Sequence, residues 1–140
     1  MRQVQGDILQ IQTGIIVHQV NCRRVMGAGL ARKLREVYPE HYKDYMHAAP
    51  ALGKIVFTKV GDSLYVVGAY GQDNYGRNGC HTDYHALRVA LTSVYRLSQQ
   101  TGLSVYLPYK IWCGLAGGDW NIVSDIIGSV LPEAVIARKV

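Results

Sequence analysis

The chain has 140 residues, of which 49% are hydrophobic, and a formal net charge of +5. This length favours one domain, 1–140, and no apolar run of about 18 residues predicts a membrane span. The first residues are too polar for a signal peptide, and three cysteines without a CxxC spacing argue against a disulfide scaffold. We therefore expect a protein of a reducing, cytoplasmic compartment. Its basic residues are dispersed, so a small anionic ligand fits the charge as well as a nucleic acid does.

The hydrophobic pattern predicts alternating strands and helices. The nearly continuous apolar run 15–20 is typical of a central strand covered on both faces, and 31–38 has an amphipathic helical pattern. The runs 54–60 and 64–69 predict a hairpin, and Thr82 is the predicted N-cap of a long helix. In chain order we predict strand 2–5, a helical turn 8–12, strand 15–20, helices 31–38 and 40–48, strands 54–60 and 64–69, helix 83–99, strand 103–107, helix 121–131 and strand 134–137.

This order predicts a three-layer α/β/α domain with a central mixed sheet. Two glycine-containing loops, 21–30 and 108–120, each follow a predicted buried strand, and ligands of open α/β sheets bind outside such strand ends. Glycines let backbone N–H groups approach an anion with the positive end of a helix dipole behind them. Neither loop matches the P-loop or the dinucleotide fingerprint, so we expect a phosphorylated sugar or nucleotide in another type of site.

Three motifs, taken together and in this order, resemble those of the macro domain family: Gly6-Asp7-Ile8, then Val20-Asn21-Cys22 followed by Met26-Gly27-Ala28-Gly29-Leu30-Ala31, then Cys113-Gly114-Leu115-Ala116-Gly117. The sequence is most similar to the branch that contains the terminal ADP-ribose glycohydrolase and the yeast ADP-ribose-1''-phosphate phosphatase. It is also similar to short macro domains of bacteria and phages. The resemblance implies a macro domain fold and ADP-ribose as the ligand, with no metal and no other cofactor.

The resemblance also implies a set of ADP-ribose-binding residues. Asp7 would accept a hydrogen bond from the adenine amino group, since a carboxylate is acceptor-only; alternatively it is a turn acid. Asn21 would bind the distal ribose, the backbone of 27–30 would surround that ribose, and the backbone of 114–117 would bind the diphosphate. Trp112 either covers the distal ribose or packs in the core. The implied residues are Asp7, Ile8, Asn21, Gly27, Ala28, Gly29, Leu30, Trp112, Cys113, Gly114, Leu115, Ala116 and Gly117, with Tyr70, Tyr75 and Tyr109 as candidates to stack on adenine.

His18 and Asp119 are the candidate catalytic residues. His18 matches a histidine of the phosphatase branch and would act as a general acid or base, or stabilise the leaving phosphate; alternatively it is a satisfied core histidine. Asp119 is the only acid of the second loop and would orient a water, or else it caps the following helix. The glycohydrolase's lysine has no counterpart in the segment 67–71, so its lysine chemistry is not expected here.

These residues favour a hydrolase that acts at the 1'' position of ADP-ribose. Removal of the terminal phosphate of ADP-ribose 1''-phosphate is the first choice, and removal of an ester-linked ADP-ribosyl group or an acetyl group is the second. A non-catalytic reader of ADP-ribose or of ADP-ribosylated macromolecules is the alternative from another class. We expect no membrane partner, and a nucleic-acid partner is a weaker hypothesis because the sequence has no long basic run.

Overall fold

A computed structural model describes residues 1–27, 29–73, 82–111, 113 and 117–139. The order of its elements is the order predicted from the sequence, and the bounds differ by a few residues at most. Among the described residues, no helix is long and apolar enough to span a bilayer. The elements are β1 (Arg2–Gln5), a 3₁₀ turn (Ile8–Gln10), β2 (Gly14–Asn21), α1 (Gly29–Val37), α2 (Pro39–His47), β3 (Ile55–Gly61), β4 (Leu64–Gln72), α3 (Tyr84–Thr101), β5 (Val105–Pro108), α4 (Trp120–Val130) and β6 (Val135–Arg138).

The described strands form one sheet in the order β1-β6-β5-β2-β4-β3. Neighbouring strands are parallel except β3, which pairs antiparallel with β4 and so forms the predicted hairpin. Because β1, β6, β5, β2 and β4 run in one direction, their carboxyl ends lie along one side of the sheet. We call this side the carboxyl edge. The loops that follow these strands all leave from it.

Helices cover both faces of the sheet. Alternate residues of β2 supply the two interfaces, since Ile15 and Val17 pack in the cluster formed with α3 and α4, whereas Ile16 packs with Leu34 of α1 and Val20 with Tyr45 of α2. A strand buried on both faces needs apolar residues at nearly every position, which explains the uninterrupted run in the sequence. The predicted three-layer α/β/α architecture with a mixed sheet is therefore confirmed.

Two local predictions are wrong. The N-cap of α3 is Asp83 rather than Thr82, because the Asp83 side chain accepts a hydrogen bond from the Ala86 N–H at 2.9 Å. Strand β4 also continues to Gln72, beyond the predicted end, because its last residues still pair with β2 up to Asn21. This extension brings the end of β4 level with the end of β2 at the carboxyl edge.

Candidate functional site

The predicted binding residues that the structure describes come from loops along the carboxyl edge. Asp7 follows β1, Asn21 ends β2, and Gly27 lies in the loop that leads from β2 to α1, whereas Cys113 lies in the loop after β5. Since β2 lies between β5 and β4, its carboxyl end has the carboxyl ends of both neighbours beside it. Ala28, Tyr75, Trp112, Gly114, Leu115 and Ala116 lie outside the described residues.

Asp7 both caps a turn and carries a charge. Its Oδ1 accepts a hydrogen bond from the Leu9 N–H at 2.9 Å, and its Oδ2 lies 3.4 Å from Nζ of Lys139. The hydrogen bond from Leu9, helped by the Lys139 ammonium, lowers the pKa of this carboxyl below its ordinary value. Asp7 is therefore an ionised acceptor at neutral pH. The side chain of Ile8 beside it is buried against Ile16, which leaves the backbone as the part of Ile8 available to a ligand.

The Asn21 side chain organises the loop that follows it. Its Nδ2 donates to the Val25 carbonyl at 2.9 Å, and its Oδ1 accepts from the Arg23 N–H and from the Tyr45 hydroxyl, both at 2.9 Å. A carbonyl can only accept and a backbone N–H can only donate, so these partners fix which end of the amide is which. The second Nδ2 hydrogen has no partner among the described residues.

The loop after β2 is also held from two sides. The Arg23 guanidinium forms an ion pair with Asp73, after β4, at 3.0 Å. Arg24 donates to the carbonyls of Met46 and Ala48, both at 3.2 Å, at the carboxyl end of α2. These contacts tie the loop to β4 on one side and to α2 on the other.

Glycine occupies its positions in the two loops for different physical reasons. Gly29 and Gly117 have φ of 58° and 76°, in the left-handed region that glycine adopts without strain. A Cβ built on Gly27 would meet no atom of the described residues within 4 Å, so packing against them does not explain its small size. The described part of the chain therefore leaves open space beside Gly27. Leu30 packs in the cluster of Ile16 under α1.

Described residues of the second loop, among them Cys113, pack on the opposite face of the sheet from α2. Cys113 is partly buried against the cluster formed with α3 and α4, and its thiol donates to the Ile111 carbonyl at 3.4 Å. Tyr109 packs edge-to-face on Trp120, with the Arg138 guanidinium 4.3 Å from its ring centre. Tyr109 therefore already has ring partners within the protein.

His18 is the first member of a buried series of hydrogen bonds beneath α2. It is 2% exposed, and its Nε2 lies 2.8 Å from Nε2 of His41, whose Nδ1 lies 3.0 Å from the Thr58 hydroxyl. The Thr58 hydroxyl in turn donates to Asp44 at 2.7 Å. Burial lowers the pKa of His41 to about 4 and the pKa of His18 well below its ordinary value. Both rings are therefore neutral at neutral pH.

The hydrogens available in this series of hydrogen bonds determine which group is the donor in each one. Thr58 gives its only hydrogen to Asp44, so it accepts from Nδ1 of His41. The Nε2 of a neutral His41 is then an acceptor, and His18 donates to it from Nε2. The Nδ1 of His18 is left as an unprotonated acceptor without a partner among the described residues. The catalytic role of His18 stays a prediction.

Asp119 caps α4, as the structural alternative predicted. Its Oδ1 accepts from the Asn121 N–H at 2.8 Å, and its own N–H donates to the Tyr84 hydroxyl at 2.9 Å. The residue is exposed, and its second carboxylate oxygen has no partner among the described residues. The cap therefore occupies only half of the carboxylate, and its catalytic role also stays a prediction.

Two residues near the site were not predicted from the sequence, namely His41 and Tyr45. Both are fully buried on the inner face of α2, and they contact His18 and Asn21. Their spacing of four residues places them on one side of a helix. This spacing is the feature of the sequence that could have indicated that they lie together. Tyr70, a predicted candidate to stack on adenine, is 1% exposed and stacks on Tyr45, so its ring is closed to a ligand.

The topology and the loops define a three-layer α/β/α domain with a candidate ligand site at the carboxyl edge. No protein-family model and no curated protein matches the sequence. Among solved structures, a protein of unknown function from Bacteroides thetaiotaomicron is 28% identical, with a TM-score of 0.81, and the match covers 99% of this chain and 96% of that one.

Other similar structures identify the fold. The macrodomain of Mycobacterium tuberculosis DarG is 24% identical, with a TM-score of 0.82 and coverage of 99% of this chain and 97% of that one. Thermosipho africanus DarTG, solved in complex with ADP-ribose, is 18% identical, with a TM-score of 0.80 and coverage of 99% and 42%. The chain has the macrodomain fold, and the resemblance found in its sequence is confirmed at the level of the fold.

Proposed function

We propose that this chain binds ADP-ribose at the carboxyl edge. The observation that carries the proposal is that Asp7, Asn21 and the open space beside Gly27 all lie along this edge of a macrodomain sheet. Proteins of the same fold were solved with ADP-ribose, among them Thermosipho africanus DarTG. The formal net charge of +5 suits an anionic ligand.

The proposal gives each part of the site a chemical role. The ionised Asp7 accepts from the adenine amino group beside the Ile8 backbone, and the second Nδ2 hydrogen of Asn21 donates to a hydroxyl of the distal ribose. The backbone of 27–30 surrounds that ribose. The segment 114–117, which lies partly outside the described residues, supplies backbone N–H groups to the diphosphate together with Cys113.

We further propose that the chain hydrolyses the bond at the 1'' position of ADP-ribose 1''-phosphate. Water attacks the terminal phosphate or C1'', its hydroxyl joins the atom attacked, and the products are ADP-ribose and inorganic phosphate. Asp119 supports this reaction, because its exposed carboxylate keeps one oxygen that can orient a water. His18 takes part only if α2 or the loop 22–27 moves, since it is buried. Hydrolysis of an ester-linked ADP-ribosyl group or of an acetyl group would use the same side chains and is the alternative reaction.

A reader of ADP-ribose or of ADP-ribosylated macromolecules is the second candidate function. It is favoured by the structural use of both candidate catalysts, since His18 pairs with His41 and Asp119 caps α4. A reader needs the same binding groups and no catalyst.

Calorimetry with ADP-ribose, followed by phosphate release from ADP-ribose 1''-phosphate, tests these proposals. We expect wild-type binding and turnover, and a loss of roughly 100-fold in rate for Asp119→Asn, which keeps a capping side chain and loses the charge. Wild-type turnover by His18→Ala would remove His18 from the mechanism.

The outcomes separate the candidates. Binding without product from the phosphate, ester or acetyl substrates supports the reader, and release of an ester-linked group alone supports the alternative reaction. Absence of ADP-ribose binding by the wild-type protein would show that the whole proposal is wrong. Wild-type turnover by Asp119→Asn would leave Asp119 as a cap only.

A further inference from the structure

Helix α2 contacts the end of β2 through two polar side chains, one helical turn apart. His41 lies 2.8 Å from His18 through their Nε2 atoms, and the Tyr45 hydroxyl lies 2.7 Å from the Asn21 carbonyl and 2.9 Å from its Oδ1. All four residues are buried, with exposed fractions of 0% to 6%. Because the contacts are three residues apart on β2, α2 cannot slide along the strand without breaking both.

The contact with Tyr45 differs in kind from the other contacts of the Asn21 side chain. Arg23 and Val25, which also bind the amide, do so through backbone atoms of the loop that directly follows Asn21. Tyr45 belongs to a helix that is packed on the sheet, and its hydroxyl is 24 residues away along the chain. The single hydrogen of this hydroxyl is shared between the Asn21 carbonyl at 2.7 Å and Oδ1 at 2.9 Å, so it ties the side-chain amide to the backbone of the strand that carries it. Among the described residues, Tyr45 is therefore the side chain that fixes the amide relative to the scaffold.

We infer that Tyr45 is a positioning residue, which holds the Asn21 amide so that its remaining Nδ2 hydrogen is presented to the distal sugar. This inference rests on the proposed binding of ADP-ribose. It adds that α2, an element outside the sequence motifs, sets the preference for ligands with a second ribose. A ligand without the distal ribose, such as ADP, does not need this contact.

The surroundings of Tyr45 provide a matched pair of variants. Its ring is fully buried and stacks on Tyr70, with ring centres 6.0 Å apart, so Tyr45→Phe keeps the ring in a filled position and removes the hydroxyl. The hydroxyl of Tyr70 is also buried, but it has no hydrogen-bond partner among the described residues. Tyr70→Phe therefore removes a buried hydroxyl from the same stack without removing a described hydrogen bond.

Calorimetry with ADP-ribose and with ADP on the wild-type chain and both variants tests the inference. We expect Tyr45→Phe to weaken ADP-ribose binding roughly three- to tenfold, the effect of one hydrogen bond, and to leave ADP binding unchanged. Tyr70→Phe should bind both ligands as the wild type does. In an Asn21→Ala background, Tyr45→Phe should have no further effect, because the group that it positions is gone.

Two results would overturn the inference while the proposed function stands. In the first, Tyr45→Phe binds ADP-ribose as the wild type does; in the second, it loses affinity for both ligands equally, which marks a structural role only. A wild-type protein that binds no ADP-ribose overturns the proposed function and the inference with it. If Tyr45→Phe does not fold, the NMR signals of the Tyr45 hydroxyl and of the Asn21 side-chain amide in the wild type decide. Both must shift with ADP-ribose and neither with ADP, and a hydroxyl signal that ADP-ribose leaves unchanged overturns the inference.

Discussion

Two carboxylates at the carboxyl edge each accept a backbone N–H with one oxygen, whereas the second oxygen of Asp7 lies 3.4 Å from Nζ of Lys139 and that of Asp119 has no partner among the described residues. Asp7 caps the turn at Leu9, and Asp119 caps α4 at Asn121. From sequence alone, capping and ligand binding are competing interpretations of such a residue. A carboxylate has two oxygens with about four acceptor positions, so the structure allows both roles at once. The sequence could therefore predict where these acids lie, but not which partners each oxygen has.

Replacing Asp7 by Asn should weaken ADP-ribose binding roughly tenfold or more. The amide oxygen of Asn can still cap the turn, but its NH₂ group would then face the adenine amino group, leaving two donors opposed. Calorimetry at neutral pH measures the change. Lys139→Gln is the matched control, because it removes the 3.4 Å ion-pair partner and keeps the acceptor. Wild-type affinity in Asp7→Asn would mean that Asp7 serves the turn alone.

At the scale of elements, α2 shows which features of a helix a sequence pattern predicts and which it does not. Pro39 and the residues after it predicted a second helix, and the structure confirms it at Pro39–His47. The spacing of His41 and Tyr45 shows that they share a face of this helix. Their partners His18 and Asn21 are 23 and 24 residues away, and local periodicity does not determine which polar groups meet across a sheet.

The buried histidine pair should make the fold sensitive to mild acid. The unfolded chain takes up a proton on His41 near its ordinary pKa of 6.5, whereas the folded chain does so only near 4. Stability is therefore complete above about pH 6.5 and falls as the pH approaches 4, by about 3 kcal/mol from His41. The lowered pKa of His18 acts in the same direction.

Urea unfolding at several pH values between 7.5 and 5 measures this loss. We expect His41→Gln to be less stable than the wild type at pH 7.5 but to lose less stability on acidification. His47→Gln is the control, since His47 is exposed on the same helix, with Nδ1 bonded to the Lys43 carbonyl, and should follow the wild-type curve. Equal pH dependence of wild type and His41→Gln would contradict the prediction.

At the scale of the whole molecule, the sequence predicted the elements and layers because apolar periodicity marks each face that must be buried. The order of the strands in the sheet depends on pairing between distant segments, such as β1 with β6, and local pattern does not contain it. The rule that ligands bind at the carboxyl ends of parallel strands linked the elements to a site. The contacts within that site required the structure.

Hydrogen exchange should locate ADP-ribose binding at one edge of the molecule. A cavity of about 490 Å³ lies at the opposite edge, between the end of α3, the start of β5 and the turn 131–134. We expect ADP-ribose to slow amide exchange in 5–9 and 21–27, and to leave 131–134 unchanged. Mass spectrometry after exchange measures both. Protection confined to the turn 131–134 would place the ligand at the wrong edge for the proposed site.

The hydrogen between Nε2 of His18 and Nε2 of His41 lies under α2, out of contact with solvent. Such a proton can exchange with water only when the contact between α2 and the sheet opens, so its exchange rate is a lower limit on the rate of opening. The exchange of a downfield imidazole N–H resonance would measure this limit. The slow motions of α2 can thus be followed through a single native atom, without attaching a probe to the chain.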